Sequence, residues 1–150
     1  MTTVVETAEI IEPWIYSLLN ADTELASVVG EDIFGPQAPA EIDTPYVTVV
    51  CVSPRDMLGV GTHRIQVEAL YDVKVTAPGF SVDTILPAAK RINALMDGVR
   101  NATYAGGQIT CVRERIISYS DQARTNRGSG PGGDPYVHLG STFRITASAG

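Results

Sequence analysis

The stretch from Leu18 to Val50, LLNADTELASVVGEDIFGPQAPAEIDTPYVTVV, sets the layout of the chain. An apolar helix runs out at Asn20-Ala21, and Asp22 or Thr23 supplies the cap for a second short helix that Gly30 stops. Ile33-Phe34 is a brief apolar touch. Pro36, Pro39 and Pro45 then hold the link extended until Tyr46 opens a strand. No residue in the run has an obvious chemical task.

Upstream, Ile11, Trp14, Ile15 and Leu18, with Ile10 and Leu19 beside them, form a helical stripe. Pro13 either sits in the first turn of a helix beginning near Glu12 or kinks a longer one. Downstream, Tyr46 to Val52 is a near-continuous apolar run, as expected of a strand covered on both faces. Ile65, Val67, Ala69, Tyr71, Val73, Val75 and Ala77 then alternate with mostly polar residues. This is the cleanest period-two signal in the chain, and it predicts a long strand with one face to the core. Pro78-Gly79 breaks it. Val82, Ile85, Leu86, Ala89, Ile92, Met96 and Val99 recur at helical steps, predicting a helix over 82–96, with Ser81 as cap, Gly98 at the C-terminal end and Pro87 as a possible kink. Further strands are expected over 108–119 and 135–147, the latter turning Val137, Leu139, Phe143 and Ile145 inward. The expected fold class is α+β: a single mostly antiparallel four-stranded sheet with helices packed on one face.

Length and composition suit this plan. A chain of 150 residues makes one domain, 1–150, which buries roughly 70% of its unfolded surface. The apolar share is 44% and the charged share 19%, ordinary for a globular protein. No apolar run approaches the roughly 20 residues of a membrane helix. The opening MTTVVETAEIIE is acidic with no basic flank, so a secretory signal is not expected there. Cys51 and Cys111 both fall in apolar strand patterns and read as buried free thiols rather than a disulfide.

Seventeen acids against eleven bases give a formal net charge of -6. Duplex DNA is a dense line of negative charge, and its binders cluster Lys and Arg on one face. Here the basic residues are scattered from Arg55 to Arg144. The balance speaks against a sequence-reading DNA binder, but not against a wall past which DNA slides without sticking.

Catalytic and cofactor patterns fail one by one. Gly128, Gly130 and Gly133 mimic a nucleotide fingerprint, yet Pro131 interrupts them and Asp134-Pro135 leads into a strand rather than a helix whose amides could face a phosphate. His63 and His138 are isolated residues in or near strands, where surface or hydrogen-bonded roles are expected. The two cysteines lack companions at zinc spacing. Glu68 and Asp72 share a strand face about 13 Å apart, which is wide even for an inverting carboxylate pair. With Arg64, Gln66 and Lys74 they read as a solvated ladder. No G-x-S-x-G elbow marks a nucleophile. Neither an enzyme nor a cofactor or metal site is expected.

Two loops stand out. Ser53–Thr62, SPRDMLGVGT, is longer than a hairpin requires and carries Met57, Leu58 and Val60 between turn residues. Those apolar residues either fold back as a lid on the core or await a partner. Ser120–Asp134, SDQARTNRGSGPGGD, is polar and glycine-rich.

Taken in order, LLNADTELASVVGEDIFG (18–35), TPYVTVV (44–50), RIQVEALYDVKV (64–75), INALMDG (92–98) and VHLGSTFRI (137–145) resemble a tail terminator (tail completion) protein of long-tailed bacteriophages. The likeness spans nearly the whole chain and lies in layout and apolar pattern, with no invariant motif. The long glycine-rich loop before the final strand is individual to this chain. The resemblance implies a structural virion protein at the tail-neck junction, made in the host cytoplasm. It would form a homo-oligomer, a hexameric ring that caps the tail tube protein, stops its polymerisation and joins the tail to the head-to-tail connector or stopper protein. DNA would pass through the lumen without specific binding; six copies carry six times -6, or -36. Ring closure needs a heterologous interface. Loop length and misplaced apolar residues nominate Arg55, Met57 and Leu58 on one side, and Asp121, Arg124, Arg127 and Asp134 on the other. Two other readings stay open: another neck or tail-tube structural protein, and a small cytosolic ligand-binding or enzyme domain.

Overall fold

The computed structural model describes residues 10–38, 44–58, 64–78, 82–120 and 136–149. Helix α1 spans Ile11–Asn20 and α2 spans Thr23–Val29. Strand β1 (Ile33–Phe34) precedes β2 (Tyr46–Leu58) and β3 (Arg64–Pro78). Helix α3 (Leu86–Met96) is followed by β4 (Val99–Tyr104), β5 (Gly107–Ser120) and β6 (Tyr136–Ala149).

The expected four-stranded, mostly antiparallel sheet is overturned. All six strands form one mixed sheet in the order β1-β2-β3-β6-β5-β4, curved into a half-barrel. The four long strands are those the apolar pattern marks, but each is extended, and two short ones flank them. Strand β1 is two residues paired parallel to β2, Ile33 with Val47 and Phe34 with Thr48. So short a strand has no period to detect. Strand β4 reads VRNATY, without clean alternation, and its register slips between Val99 and Ala102. It returns into β5 through Ala105 and Gly106, both at positive φ (50° and 84°), the geometry of a type I′ turn. Glycine adopts this freely, whereas alanine in the first position hides the turn from a sequence reading.

Other boundaries shift for local reasons. Pro13 lies in the first turn of α1, where its missing N–H removes no helical hydrogen bond. Asp22 is the N-cap of α2: its Oδ2 accepts from the Leu25 N–H at 2.9 Å. Gly30, at φ 61°, ends the helix. Helix α3 starts at Leu86 rather than Val82. Residues 82–85 form a preceding turn, and Pro87 occupies the first helical turn without kinking it. The expected cap, Ser81, lies outside the described residues.

The core lies between the helices and one face of the sheet. Ile11, Trp14, Ile15 and Leu19 of α1, Leu25 and Val29 of α2, and Ala88, Ile92 and Met96 of α3 are buried. They meet Val47 and Val49, the odd positions of β3 from Val67 to Ala77, Ile109 and Cys111, and Phe143, Ile145 and Ala147. Full burial of one such aliphatic side chain stabilises by about 1.5–3 kcal/mol. Two β-bulges set how far this face extends. One leaves Val52 off the ladder between Cys51 and Ser53, and another leaves Glu114 off it between Arg113 and Arg115. Each reverses the alternation of side chains beyond it. Cys51, expected to be buried, is exposed where the helices no longer cover β2, whereas Cys111 is buried; neither forms a disulfide.

Candidate functional surface

The face of the sheet opposite the core carries a connected polar array. The odd residues of β3 fill the core, so Asp72, Lys74 and Thr76 project to the other side, joined there across the register by His138, Gly140 and Thr142 of β6. After its bulge, β5 adds Arg115, Ile117 and Tyr119 to the same face. The Tyr119 and His138 rings stack with centroids 4.3 Å apart. The Lys74 ammonium donates to the Tyr119 hydroxyl at 2.5 Å and lies 5.0 Å from the ring centroid. His138 Nδ1 is 3.0 Å from Thr76 Oγ1. Four rungs away, Arg115 donates to Thr142 Oγ1 at 3.1 Å, and Thr142 donates to Asp72 at 2.6 Å.

An open groove of about 480 Å³ crosses this face between Pro36–Ala38 and the sheet, with Tyr46, Thr48, Val50, Lys74, Thr76, Tyr136 and His138 along it. Thr48 Oγ1 is buried beside the groove without a hydrogen-bond partner among the described residues. The Thr76–His138 pair resembles a hydroxyl and its base in composition only. Thr76 is 1% exposed, so its oxygen is closed to an incoming substrate. Among the described residues, no three His, Cys, Asp or Glu side chains converge as metal ligands. No helix is long and apolar enough to cross a membrane.

Of the residues nominated from sequence, Arg55, Met57 and Leu58 are not in a loop. They continue β2, opposite Glu68, Gln66 and Arg64 of β3. Pro54 falls within this extension, which is tolerated because that part of β2 has no strand on its outer side among the described residues. Asp121, Arg124, Arg127 and Asp134 lie outside the described residues, so the two halves of the nominated interface are not brought together here. Sequence reasoning missed the apolar side chains that do reach solvent. Val52, Ile116 and Tyr119 are 48%, 64% and 46% exposed. Ile116 and Ile117 read as ordinary strand interior, and only the register shift at Glu114 reveals that Ile116 lies beyond the helices.

No family model matches the chain, and no curated protein matches it. Among solved structures, it is similar to a chain of the virion of a native gene transfer agent particle, with a TM-score of 0.69. That similarity covers 95% of this chain and 98% of the other, at 18% sequence identity. At that identity the likeness speaks for a shared fold.

Proposed function

We propose that this chain is a structural protein of a phage-like virion and, within that class, a tail terminator. It forms a ring that caps the last ring of the tail tube, stops further growth and presents a surface to the head connector. The observation that carries this reading is the end-to-end match of fold with a virion chain. The layout of the sequence independently resembles the terminator family. The described surface also favours assembly over catalysis. Its groove is open, its one hydroxyl-imidazole pair is buried, and its exposed apolar residues sit on strands.

In this reading Arg55, Met57 and Leu58 on β2 meet the 121–134 segment of the neighbouring subunit, and DNA passes through a lumen whose walls carry net negative charge. Negative-stain images of the purified protein test it: rings of fixed size support a terminator, and long tubes point to a tail-tube subunit instead. Particles lacking the protein should show overlong or headless tails. Met57→Asp combined with Leu58→Asp should release subunits from the ring. An unchanged elution volume would remove these residues from the interface.

A further inference from the structure

Among the described residues, both outer edges of the sheet carry strand with no strand beside it. Among the described residues, β1 pairs with β2 only at Val47 and Thr48, so the outer side of β2 is open from Val49 to Leu58. At the opposite edge, β4 pairs with β5 only between Gly107 and Cys111; beyond it the Arg113 N–H is taken by Asp97 Oδ1 at 2.8 Å, and the rest of Val112–Ser120 has no strand partner on that side among the described residues. An uncovered strand presents a row of backbone donors and acceptors, and monomeric proteins normally blunt such edges with charged residues, proline, β-bulges or a covering loop. Here the Val52 bulge and Pro54 interrupt the β2 edge, and Arg113, Arg115 and the Glu114 bulge blunt the start of the β5 edge, but Ile116–Ser120, IISYS, carries no charge, proline or bulge. Four large hydrophobic side chains are exposed among the described residues, and three of them, Val52, Ile116 and Tyr119, lie on these two stretches.

Strand direction identifies the occupant. From β2 through β3 and β6 to β5, every neighbouring pair is antiparallel, so β2 and β5 run in opposite directions. Turning a second copy about an axis lying along the strands therefore places its β5 beside β2 of the first in the antiparallel sense, the sense in which a direct ladder forms. A two-fold contact of β5 with β5 would leave both β2 edges open. Head-to-tail joining uses one edge of each kind per copy and, once closed, leaves none.

We infer that the chain assembles with copies of itself by sheet extension, the open edge of β5 (Val112–Ser120) pairing with the open edge of β2 (Val49–Leu58) of the next copy. This rests on the ring reading above but assigns a different contact: in the antiparallel ladder Met57-Leu58 lie toward Val112-Arg113 of the next copy, and its Ser120 lies toward Val49. The register also sets a step between copies. Ile116, in the middle of the β5 stretch, shares a rung with Ser141, Val73 and Val49. The middle of the β2 stretch, at Ser53-Pro54, lies three to four rungs further along, because the bulged Val52 adds a residue but no rung. Aligning the two middles displaces neighbouring copies by roughly 12 Å along the strands, at about 3.3 Å per rung. The strands then run obliquely to the ring axis, and Ile116 comes opposite Ser53-Pro54, beside the Val52 bulge.

Native mass spectrometry of the full chain with Ile116→Lys or Val52→Lys tests the contact. Both positions are exposed, so each variant should keep the far-ultraviolet circular dichroism of the wild type while its oligomer falls to monomer. A second arm mixes two variants in a Cys51→Ser background, one with Val52→Cys and the other with Ile116→Cys, under mild oxidation. The disulfide should form between the two different variants; 52–52 or 116–116 products in equal yield would overturn the head-to-tail pairing, even if a lysine variant failed to fold. An oligomer that survives both lysines would overturn the edge contact and leave the ring reading standing. A wild-type chain that stays monomeric at every concentration would overturn both.

Discussion

Asp22 and Arg91 are joined by two hydrogen bonds, Arg91 Nε to Asp22 Oδ2 at 2.9 Å and the terminal nitrogen to Oδ1 at 2.7 Å. The same Asp22 Oδ2 caps α2 through the Leu25 N–H. One carboxylate thus starts one helix and ties it to α3. The acid is nearly buried and the guanidinium half-buried, with side-chain exposures of 10% and 33%, and Glu24 stands 3.5 Å from the same guanidinium.

These two tasks separate by mutation. Asp22→Asn keeps a capping oxygen and loses the ion pair, costing up to about 1 kcal/mol. Asp22→Ala loses the cap as well, adding about 1 kcal/mol. In urea denaturation Arg91→Ala should match Asp22→Asn. A double-mutant cycle with no coupling between Asp22 and Arg91 would show the pair to be energetically idle.

The same carboxyl makes stability depend on pH. The Arg91 hydrogen bonds, and then the Leu25 N–H, hold Asp22 below the ordinary aspartate value of 3.8, against an opposing push from burial. Because the folded-state value is depressed, its contribution is fully present above 3.8 and is lost as pH falls through the folded value. The difference in stability between the wild type and Asp22→Asn should therefore narrow on acidification below pH 3.8. A difference constant across that range would contradict the assignment.

Gly140 is fixed by close approach rather than by backbone angle. A Cβ there would lie 2.2 Å from the Val73 carbonyl oxygen and 2.4 Å from the Lys74 Cα. Neither neighbour is a flexible side-chain tip. Gly140→Ala should cost at least about 1–3 kcal/mol, the range for overpacking a core. A melting temperature equal to the wild type's would mean that the strands do not approach this closely.

The two thiols should differ sharply in reactivity. Burial, and then the nearby Asp97 charge, push the Cys111 thiol up to about 12, so at neutral pH it is neutral as well as inaccessible. Cys51 is exposed. An aromatic disulfide reagent should label one thiol in the native protein and two in denaturant. Two rapid native equivalents would contradict the buried placement of Cys111.

Wherever apolar residues repeat with a single period over many positions, the elements are legible from the sequence. The alternation through β3, the stripe of α1 and the Asp22 cap with its Gly30 stop all fall where local pattern puts them, because backbone periodicity alone decides which side chains share a face. What was not legible depends on strands remote in sequence. Strand β1 exists because β2 offers it a parallel partner at Val47 and Thr48. Ser53–Leu58 looked like a loop and is strand because β3 runs long enough to pair with it. The polar surface joining Lys74, His138 and Tyr119 unites residues 19 to 64 positions apart on three strands, and no spacing rule could assemble it.

From the chain alone came the mixture of helices and strands, an acidic balance unsuited to gripping DNA, and the lack of a recognisable catalytic spacing in the sequence. These are sums over local residues, which need no partner to be evaluated. Only the tertiary structure decided the number of strands, the bulges at Val52 and Glu114, and hence which apolar residues are left in water at the sheet edges. Strand pairing is non-local: one extra residue in a strand reverses every side chain beyond it, and only the neighbouring strand shows where that residue sits.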